Sequence, residues 1–455
     1  MRKFRSSAFP GFTLSAVLVA GVAALAVLVP RPAQALPSYA QQTGMACSQC
    51  HTVAFGPQLT AYGRQFKLNG YVWGNSEDHV PLALMAVVGQ THTSGDLDTA
   101  PDHYSTNNNF AMNEFTGFLA GRLTSHLGSF VEASYSGTER KLAWGAFDLR
   151  SAWSGNAGNT AYVAGVTLNN NPTVTDLWNS TPVWSFPYTG SDLAPTPAAS
   201  PMLYDGISER VLGPSFYVML NNHYYLELGA YKGLGDSMLK NVGLSADDNL
   251  HLKGLATYWR AVAQFDSGPH GFSAGLVGLN SRMHPDDTVS TTDSYADIGL
   301  DGTYQFSSGP HAVTANLSVV HEKRKLHGSF DSGASDAVSN KLNSKRFDTT
   351  YAYNQTWAGS VGLFSTTGTH NTDLYAPAAT DGSANASPNS KGYTLQLEYI
   401  PFGKTGSFGS PWVNTRFGIQ YTGYNKFNGG STNYDGSGRS AKDNNTLFVF
   451  AWLAL

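Results

Sequence analysis

Two cysteines in 455 residues, both inside the stretch Cys47-Ser48-Gln49-Cys50-His51, leave no thiols for a disulfide framework anywhere else in the chain. Charge is scarce as well. Asp, Glu, Lys and Arg make up 13% of the residues, about half the share usual in soluble domains. The formal net charge of −4 comes without a basic patch, which excludes nucleic acid as a partner. Beyond Val29, no apolar run is long enough for a helix to cross a membrane. What is plentiful instead is glycine (48 residues) and tyrosine (23 residues), in stretches where apolar and polar side chains alternate.

The exception to the missing apolar runs lies at the start. Arg2, Lys3 and Arg5 precede an apolar stretch from Phe12 to Val29, followed by Pro30 and the small-x-small triplet Ala33-Gln34-Ala35. This is the pattern of a secretory signal peptide, residues 1–35, cleaved after Ala35, with an uncleaved anchor as the competing reading. Cleavage removes Arg2, Lys3, Arg5 and Arg31 and takes the formal charge from −4 to −8.

Three chemistries compete for Cys47-Ser48-Gln49-Cys50-His51. A redox disulfide calls for a thioredoxin-like βαβ context, and none is visible nearby. A zinc site needs two further ligands at short spacing, which the neighbouring sequence lacks. Covalent haem attachment requires two thiols separated by two residues, with a histidine next to the second. The thiols add to the two vinyl groups on one edge of the porphyrin, and the histidine then stands beneath the iron as its proximal ligand. We therefore expect one covalently bound haem c, attached at Cys47 and Cys50 and ligated by His51. The 39 residues from Leu36 to Gly74 are too few to build a core of their own. The haem segment, residues 36–79, must be completed by residues 80–455.

Those residues read as a transmembrane barrel. In "YTLQLEYI", Tyr393, Leu395, Leu397 and Tyr399 share one face, with Thr394, Gln396 and Glu398 on the other. "DIGLDGTYQF" and "VNTRFGIQY" repeat the alternation, which over about ten residues is the mark of an outer-membrane strand. A soluble sandwich would alternate too, but here the connections switch between short turns and long polar loops. Seven short turns and eight loops predict an all-β, 16-stranded antiparallel β-barrel from about Pro81 to Leu455, both ends periplasmic. The short N-terminal mono-haem cytochrome c segment would plug its lumen.

Strand parity nominates lumen groups: Glu114, Arg122, Glu132, Asp148, Arg150, Glu227, Arg260, Asp297, Asp301, Glu398 and Arg416. Carboxylates suit hard iron ions, although they serve equally to hydrate and brace a lumen. For the distal haem ligand, His79, Met85, His92, His103 and Met112 follow the motif in sequence, while Met45 stands too close to reach the opposite ring face. Met85 shares parity with Val87 and Gly89, opposite Leu82 and Leu84, and so faces the lumen near the periplasmic end. It is the first choice, with His79 second. The third long loop, residues 171–203, is rich in Pro and Trp and is expected to fold into the lumen as an ordered element. Asn170, Asn171, Asp176, Trp178 and Asn179 are expected beside the donor's path, Asp176 offering a carboxylate to a cation and Trp178 an aromatic face.

"QQTGMACSQCH", "LTAYGRQFKLNGY" and "NNNPTVTDLWNSTPVW" resemble the fused cytochrome–porin iron oxidases of the outer membrane, and the order of signal, mono-haem segment and barrel extends the resemblance over the whole chain. The resemblance implies one haem c on Cys47 and Cys50 with His51 as proximal ligand. It further implies oxidation of extracellular Fe(II) at the outer face, with electrons passed to a periplasmic carrier such as a c-type cytochrome or copper protein. A polar lumen admits a dissolved ion or small iron chelate and excludes a mineral surface. A general extracellular electron conduit and a passive porin with a haem-bearing plug are the alternatives.

Overall fold

The computed structural model describes residues 37–74 and 81–455, apart from 182–183, 287, 405 and 410–411. The expected signal peptide and His79 therefore lie outside the described residues.

Sixteen strands follow one another in chain order. They are β1 Leu82–Thr93, β2 Asn109–Arg122, β3 Leu127–Ser136, β4 Lys141–Ala157, β5 Thr160–Asn169, β6 Val211–Leu220, β7 Tyr224–Gly233 and β8 Ala256–Ser267. The second half comprises β9 His270–Met283, β10 Asp293–Ser308, β11 His311–Leu326, β12 Ser339–Tyr353, β13 Trp357–Gly368, β14 Ser390–Tyr399, β15 Asn414–Lys426 and β16 Thr446–Ala454. Each pairs antiparallel with its neighbours, and β1 pairs with β16, so the sheet closes. Closure satisfies the backbone of every strand within the wall, which hydrocarbon demands.

The alternation sorts side chains as expected. Leu228, Phe216, Leu397, Leu300 and Ile419 point outward and are exposed, whereas Asp148, Arg150, Glu227, Arg260, Asp301, Glu398 and Arg416 are buried inside. Exposed aromatics, among them Trp153, Phe265, Phe272, Tyr351, Trp357 and Tyr399, cluster at the strand ends joined by short turns. Trp357 and Tyr399 pack at 4.7 Å between ring centroids. Such a girdle marks a membrane–water interface. The chain is an outer-membrane β-barrel.

Several parts of the inner wall break the polar-in rule, β16 among them. On β16, Phe448, Phe450 and Trp452 are buried facing inward and pack with Val87 of β1 and Phe55. An apolar patch on the lumen side of a barrel needs an apolar neighbour, and a helical segment is part of it. That segment comprises α1 (Pro37–Thr43), the single turn α2 (Cys47–Cys50) and α3 (Ala61–Leu68). Its contacts reach all round the ring. Tyr39 Oη donates to the Ser129 carbonyl on β3 at 2.7 Å, and Tyr71 Oη to Asp148 Oδ2 on β4 at 2.8 Å. Arg64 Nη1 reaches Gln305 on β10 at 2.5 Å, Gln58 reaches Thr350 on β12 at 3.1 Å, and Arg416 on β15 donates to the Val53 carbonyl at 3.1 Å. Only a body inside the cylinder can touch β3, β4, β10, β12 and β15 at once. Gly128 on β3 marks how close it comes: a Cβ there would stand 2.1 Å from the Gly70 carbonyl oxygen.

The loop between β5 and β6, residues 170–210, also turns inward. It is longer at its C-terminal end than the expected 171–203 because β6 starts only at Val211. Thr189 O accepts from Gln420 on β15, Gly190 O from Asn113 on β2, and the backbone of Met202 and Leu203 donates to Glu322 and Asp297. This loop, called loop 3 below, meets the helical segment end to end.

Candidate functional site

Local chemistry shapes the Cys47–His51 turn. The His51 amide donates to the Cys47 carbonyl at 2.9 Å, and the chain then loops back so that Thr60 N donates to the Cys50 carbonyl at 2.8 Å. Thr60 Oγ1 caps α3 by accepting from Gly63 N at 3.2 Å. Gly63 lets α3 lie directly on the turn, since a Cβ there would sit 2.3 Å from the Cys50 carbonyl oxygen.

Cys47, Cys50, His51 and Met85 line one cavity of about 370 Å³ inside the barrel. Its walls are otherwise mostly apolar and aromatic, with Phe55, Phe66, Phe118, Phe130, Trp184 and Trp452 among them. Cys47 and Met85 join the same apolar cluster as Phe450 and Trp452. Both cysteines are thiols, and burial raises Cys47 to about 11 and Cys50 to about 12. Burial lowers His51 to about 4, partly offset by backbone groups at Gly56 and Gln58. Part of the His51 residue faces the cavity, yet its Nδ1 is shut off from solvent and makes no hydrogen bond. A buried polar atom left without a partner is uncommon and asks for an explanation.

Met85 therefore stands where its parity puts it. Met112, His92 and His103 do not line the cavity. Met112 points outward and is 36% exposed, His92 is exposed and bonds Asn108 at the long-loop end, and His103 sits in the loop after β1. Met45, discounted on its nearness to Cys47, does line the cavity.

Loop 3 carries a correction. Asp176 was expected to offer a carboxylate to a cation, but its oxygens are already used. Oδ1 accepts from Arg260 at 3.1 Å and from Trp178 N at 3.1 Å, while Oδ2 accepts from Ser180 N and Thr181 N at 3.0 Å each and from Thr181 Oγ1 at 2.9 Å. Burial would raise this carboxyl, but Arg260 and the converging donors hold it below its ordinary value. Trp178 likewise packs edge-on against Tyr225 and donates Nε1 to Gln264 at 3.0 Å. Asn171 caps a turn of 3-10 helix at Pro172–Thr175. Asn170 fills a bulge: its Oδ1 accepts from Phe147 N and its Nδ2 donates to the Gly145 carbonyl. Of the five expected residues, Asn179 alone lines the cavity; it donates to the Pro57 carbonyl and leaves Oδ1 without a partner.

The carboxylates beside the cavity come instead from two bulged strand pairs. The β1–β2 register slips at Val87/Val88, so Asn113 and Glu114 both turn inward. The β3–β4 register slips at Val131/Ala133, where Glu132 accepts from Ala146 N at 3.2 Å. Bulges re-aim side chains at functional sites. Strict alternation could find Glu114 and Glu132 but not Asn113, because a bulge cancels the parity rule. Glu114, Tyr188 and Glu209 also wall a second cavity, of about 430 Å³, towards the long loops. Glu139, Lys141 and Asp192 complete its charged lining. Burial, and then Glu114, raise Asp192 to about 6. Among the described residues no three Cys, His, Asp or Glu converge as a metal cage. This acidic chamber can attract a cation without trapping it.

No family model and no curated protein matches the chain. Among solved structures it is similar to the anion-selective porin of Comamonas acidovorans, at 14% identity and a TM-score of 0.41, over 82% of this chain and 98% of that one. Salmonella typhi OmpF in complex with daunomycin matches at 10% identity and a TM-score of 0.44, over 82% and 97%. The outer membrane channel DcaP of Acinetobacter baumannii matches at 12% identity and a TM-score of 0.43, over 82% and 96%. The barrel assignment rests on this chain's own strand order and outward apolar face.

Proposed function

We propose that this barrel is an iron oxidase: an outer-membrane electron-transfer protein that takes electrons from extracellular Fe(II) or a small iron chelate and delivers them to a periplasmic c-type cytochrome or copper protein. One observation carries the reading. Both thiols of the chain, the histidine beside them and an inward methionine meet at a single apolar cavity in the lumen of a membrane barrel.

The residues present fit a haem c. The thiols of Cys47 and Cys50 would hold it covalently, and His51, with Met85 as first choice for the second position, would ligate its iron. The group would supply a one-electron carrier, its potential raised by a thioether ligand relative to bis-histidine ligation. The chain's own residues do the rest. His51 stays neutral at physiological pH, as a ligand must. Phe55, Phe118, Phe130 and Trp452 would surround the group with apolar surface. Asp192, Glu139, Glu114 and Glu209 give the approach from the long loops a negative potential, which raises the local concentration of a divalent cation. Loop 3 and the helical segment fill the lumen between them, so a dissolved ion can come close while larger donors stay outside.

Mixing the oxidised protein anaerobically with Fe(II) and following the haem α-band tests the proposal. Rapid appearance of the reduced band is the expected result, and a band that responds to dithionite but never to Fe(II) rejects iron as donor. The closed barrel with a polar lumen favours one second reading, a passive porin whose N-terminal segment only obstructs the pore. Proteoliposomes separate the two. Electron passage to an enclosed oxidised cytochrome with little sugar leakage supports the oxidase, and sugar permeation without haem reduction supports the porin.

A further inference from the structure

The two cavities of the lumen share a wall. Glu114 of β2 and Tyr188 and Glu209 of loop 3 line both the apolar cavity, which holds Cys47, Cys50, His51 and Met85, and the acidic chamber towards the long loops. Of the three, Tyr188 alone carries a ring. On the cavity side it packs against the cluster of Val87, Phe450 and Trp452 that Cys47 and Met85 also join.

Loop 3 fixes this ring from both flanks. Before it, Phe186 packs edge-on against Tyr188 at 5.6 Å between centroids. Phe186 in turn lies so close on β13 that a Cβ at Gly362 would meet its ring at 2.8 Å. After it, the Thr189 carbonyl accepts from Gln420 on β15 at 2.8 Å, and the Gly190 carbonyl accepts from Asn113 on β2 at 2.8 Å. A side chain held between three strands of the wall keeps its place without a partner of its own choosing.

The two sides of the ring treat charge differently. Carboxylates draw a divalent cation into the chamber. Carrying that ion into a mostly apolar cavity strips its hydration, at a cost that rises with the square of its charge. Fe(III) is therefore held back more strongly than Fe(II). An electron pays no such penalty, because it crosses packed atoms without an opening.

We infer that Tyr188 is the partition between chamber and cavity: it keeps the metal ion on the outer side and lets only the electron through. The inference rests on the proposed oxidase. The step is outer-sphere. One Fe(II) in the chamber loses one electron and becomes Fe(III), the one-electron carrier proposed for the cavity is reduced, and no bond to the metal ion forms on the cavity side. The ferric product stays where it can leave by the long loops.

The chain's own thiols report on the seal. The full-length thiol form is inserted into liposomes with its long loops outward and a scavenging thiol enclosed, and a small cationic methanethiosulfonate is added outside. Wild type and Tyr188→Phe, which keeps the ring, are expected to label slowly at Cys47 and Cys50. Tyr188→Ala should label on the order of tenfold faster, as the barrier to a charged reagent falls; if that variant does not insert, Tyr188→Val makes the same comparison. A bulky maleimide-linked polyethylene glycol should stay excluded from all of them. Wild type that labels as fast as the variant, or a variant that labels no faster than wild type, overturns the inference. Rapid labelling of the variant by both reagents would assign the seal to loop 3 as a whole and equally overturn the role of the ring. A mature wild-type protein without covalent haem stain refutes the proposed function instead and leaves the thiol result standing, so the two failures are distinguishable.

Discussion

Lys67 of α3 donates through Nζ to the backbone carbonyl of Asp176 in loop 3 at 2.7 Å, and to that of Val174 at 2.7 Å. A side chain from the helical segment thus holds the loop that enters from the opposite mouth. Arg150 of β4 completes the joint by donating to the Lys67 carbonyl at 3.3 Å and to the Thr175 carbonyl at 3.0 Å.

Cutting this tie should open the lumen. Lys67→Met loses both hydrogen bonds to the loop, and single-channel conductance in planar bilayers should rise. Burial first, and Arg150 second, lower Lys67 to about 7. Its unfolded value is near 10.4, so between those two pH values the unfolded chain binds more protons than the folded one. Wild-type stability in detergent should therefore increase from pH 7 to 10 relative to Lys67→Met. A flat difference across that range would mean that Lys67 titrates normally.

Asp176→Asn should destabilise the barrel interior. It leaves Arg260 with Asp301 as its one remaining carboxylate, at 2.8 Å, and the loss should be on the order of 3 kcal/mol. Because the folded carboxyl sits below its ordinary value, the contribution is present at neutral pH and lost as pH falls through the folded value. Thermal melts at pH 7 and pH 3 check both signs: the gap between wild type and variant should shrink in acid.

Cys47→Ser and Cys50→Ser should each sharply reduce haem stain on denaturing gels while the barrel still inserts. Both thiols lie in the helical segment, outside every strand of the closed wall. A double variant that keeps its stain would refute covalent attachment.

Met85→Ala should lower the reduction potential or open the iron to carbon monoxide, with attachment unaffected. A low-spin spectrum that does not change would shift the assignment to another residue lining the cavity, Met45 of the helical segment first.

Asp192→Asn should slow reduction by Fe(II) several-fold and leave reduction by dithionite untouched. With Asp192 raised to about 6 by burial and Glu114, the wild-type rate with Fe(II) should fall as pH drops through 6. The variant should lack that step. Equal profiles for the two proteins would take the acidic chamber out of the donor's route.

Much of the wall was legible because a strand has a period of two and a bilayer sorts its faces by polarity. Every residue nominated for the lumen by parity lies inside, from Glu114 to Arg416. Parity failed where it had to. Asn113 turns inward only because the bulge beside Val87 breaks the count. Phe448, Phe450 and Trp452 read as ordinary terminal-strand aromatics, and nothing in their spacing tells a lumen from a lipid environment. Asp176 looked like a ligand because an acid in a long loop usually has solvent around it; here Arg260 on β8, 84 residues further along the chain, had already claimed it.

The sequence by itself determined the membrane barrel, its strand number and the one place where thiol and imidazole chemistry meet, since these are written in local period and spacing. Only the tertiary structure decided what faces that place. Which wall receives the helical segment and which loop carboxylate is spent on an arginine depend on contacts between residues tens to hundreds of positions apart. Arg416 and Val53 are separated by 363 residues. Such pairs are set by ring closure and by the packing of two inserted segments in one lumen, and neither leaves a periodic trace along the chain.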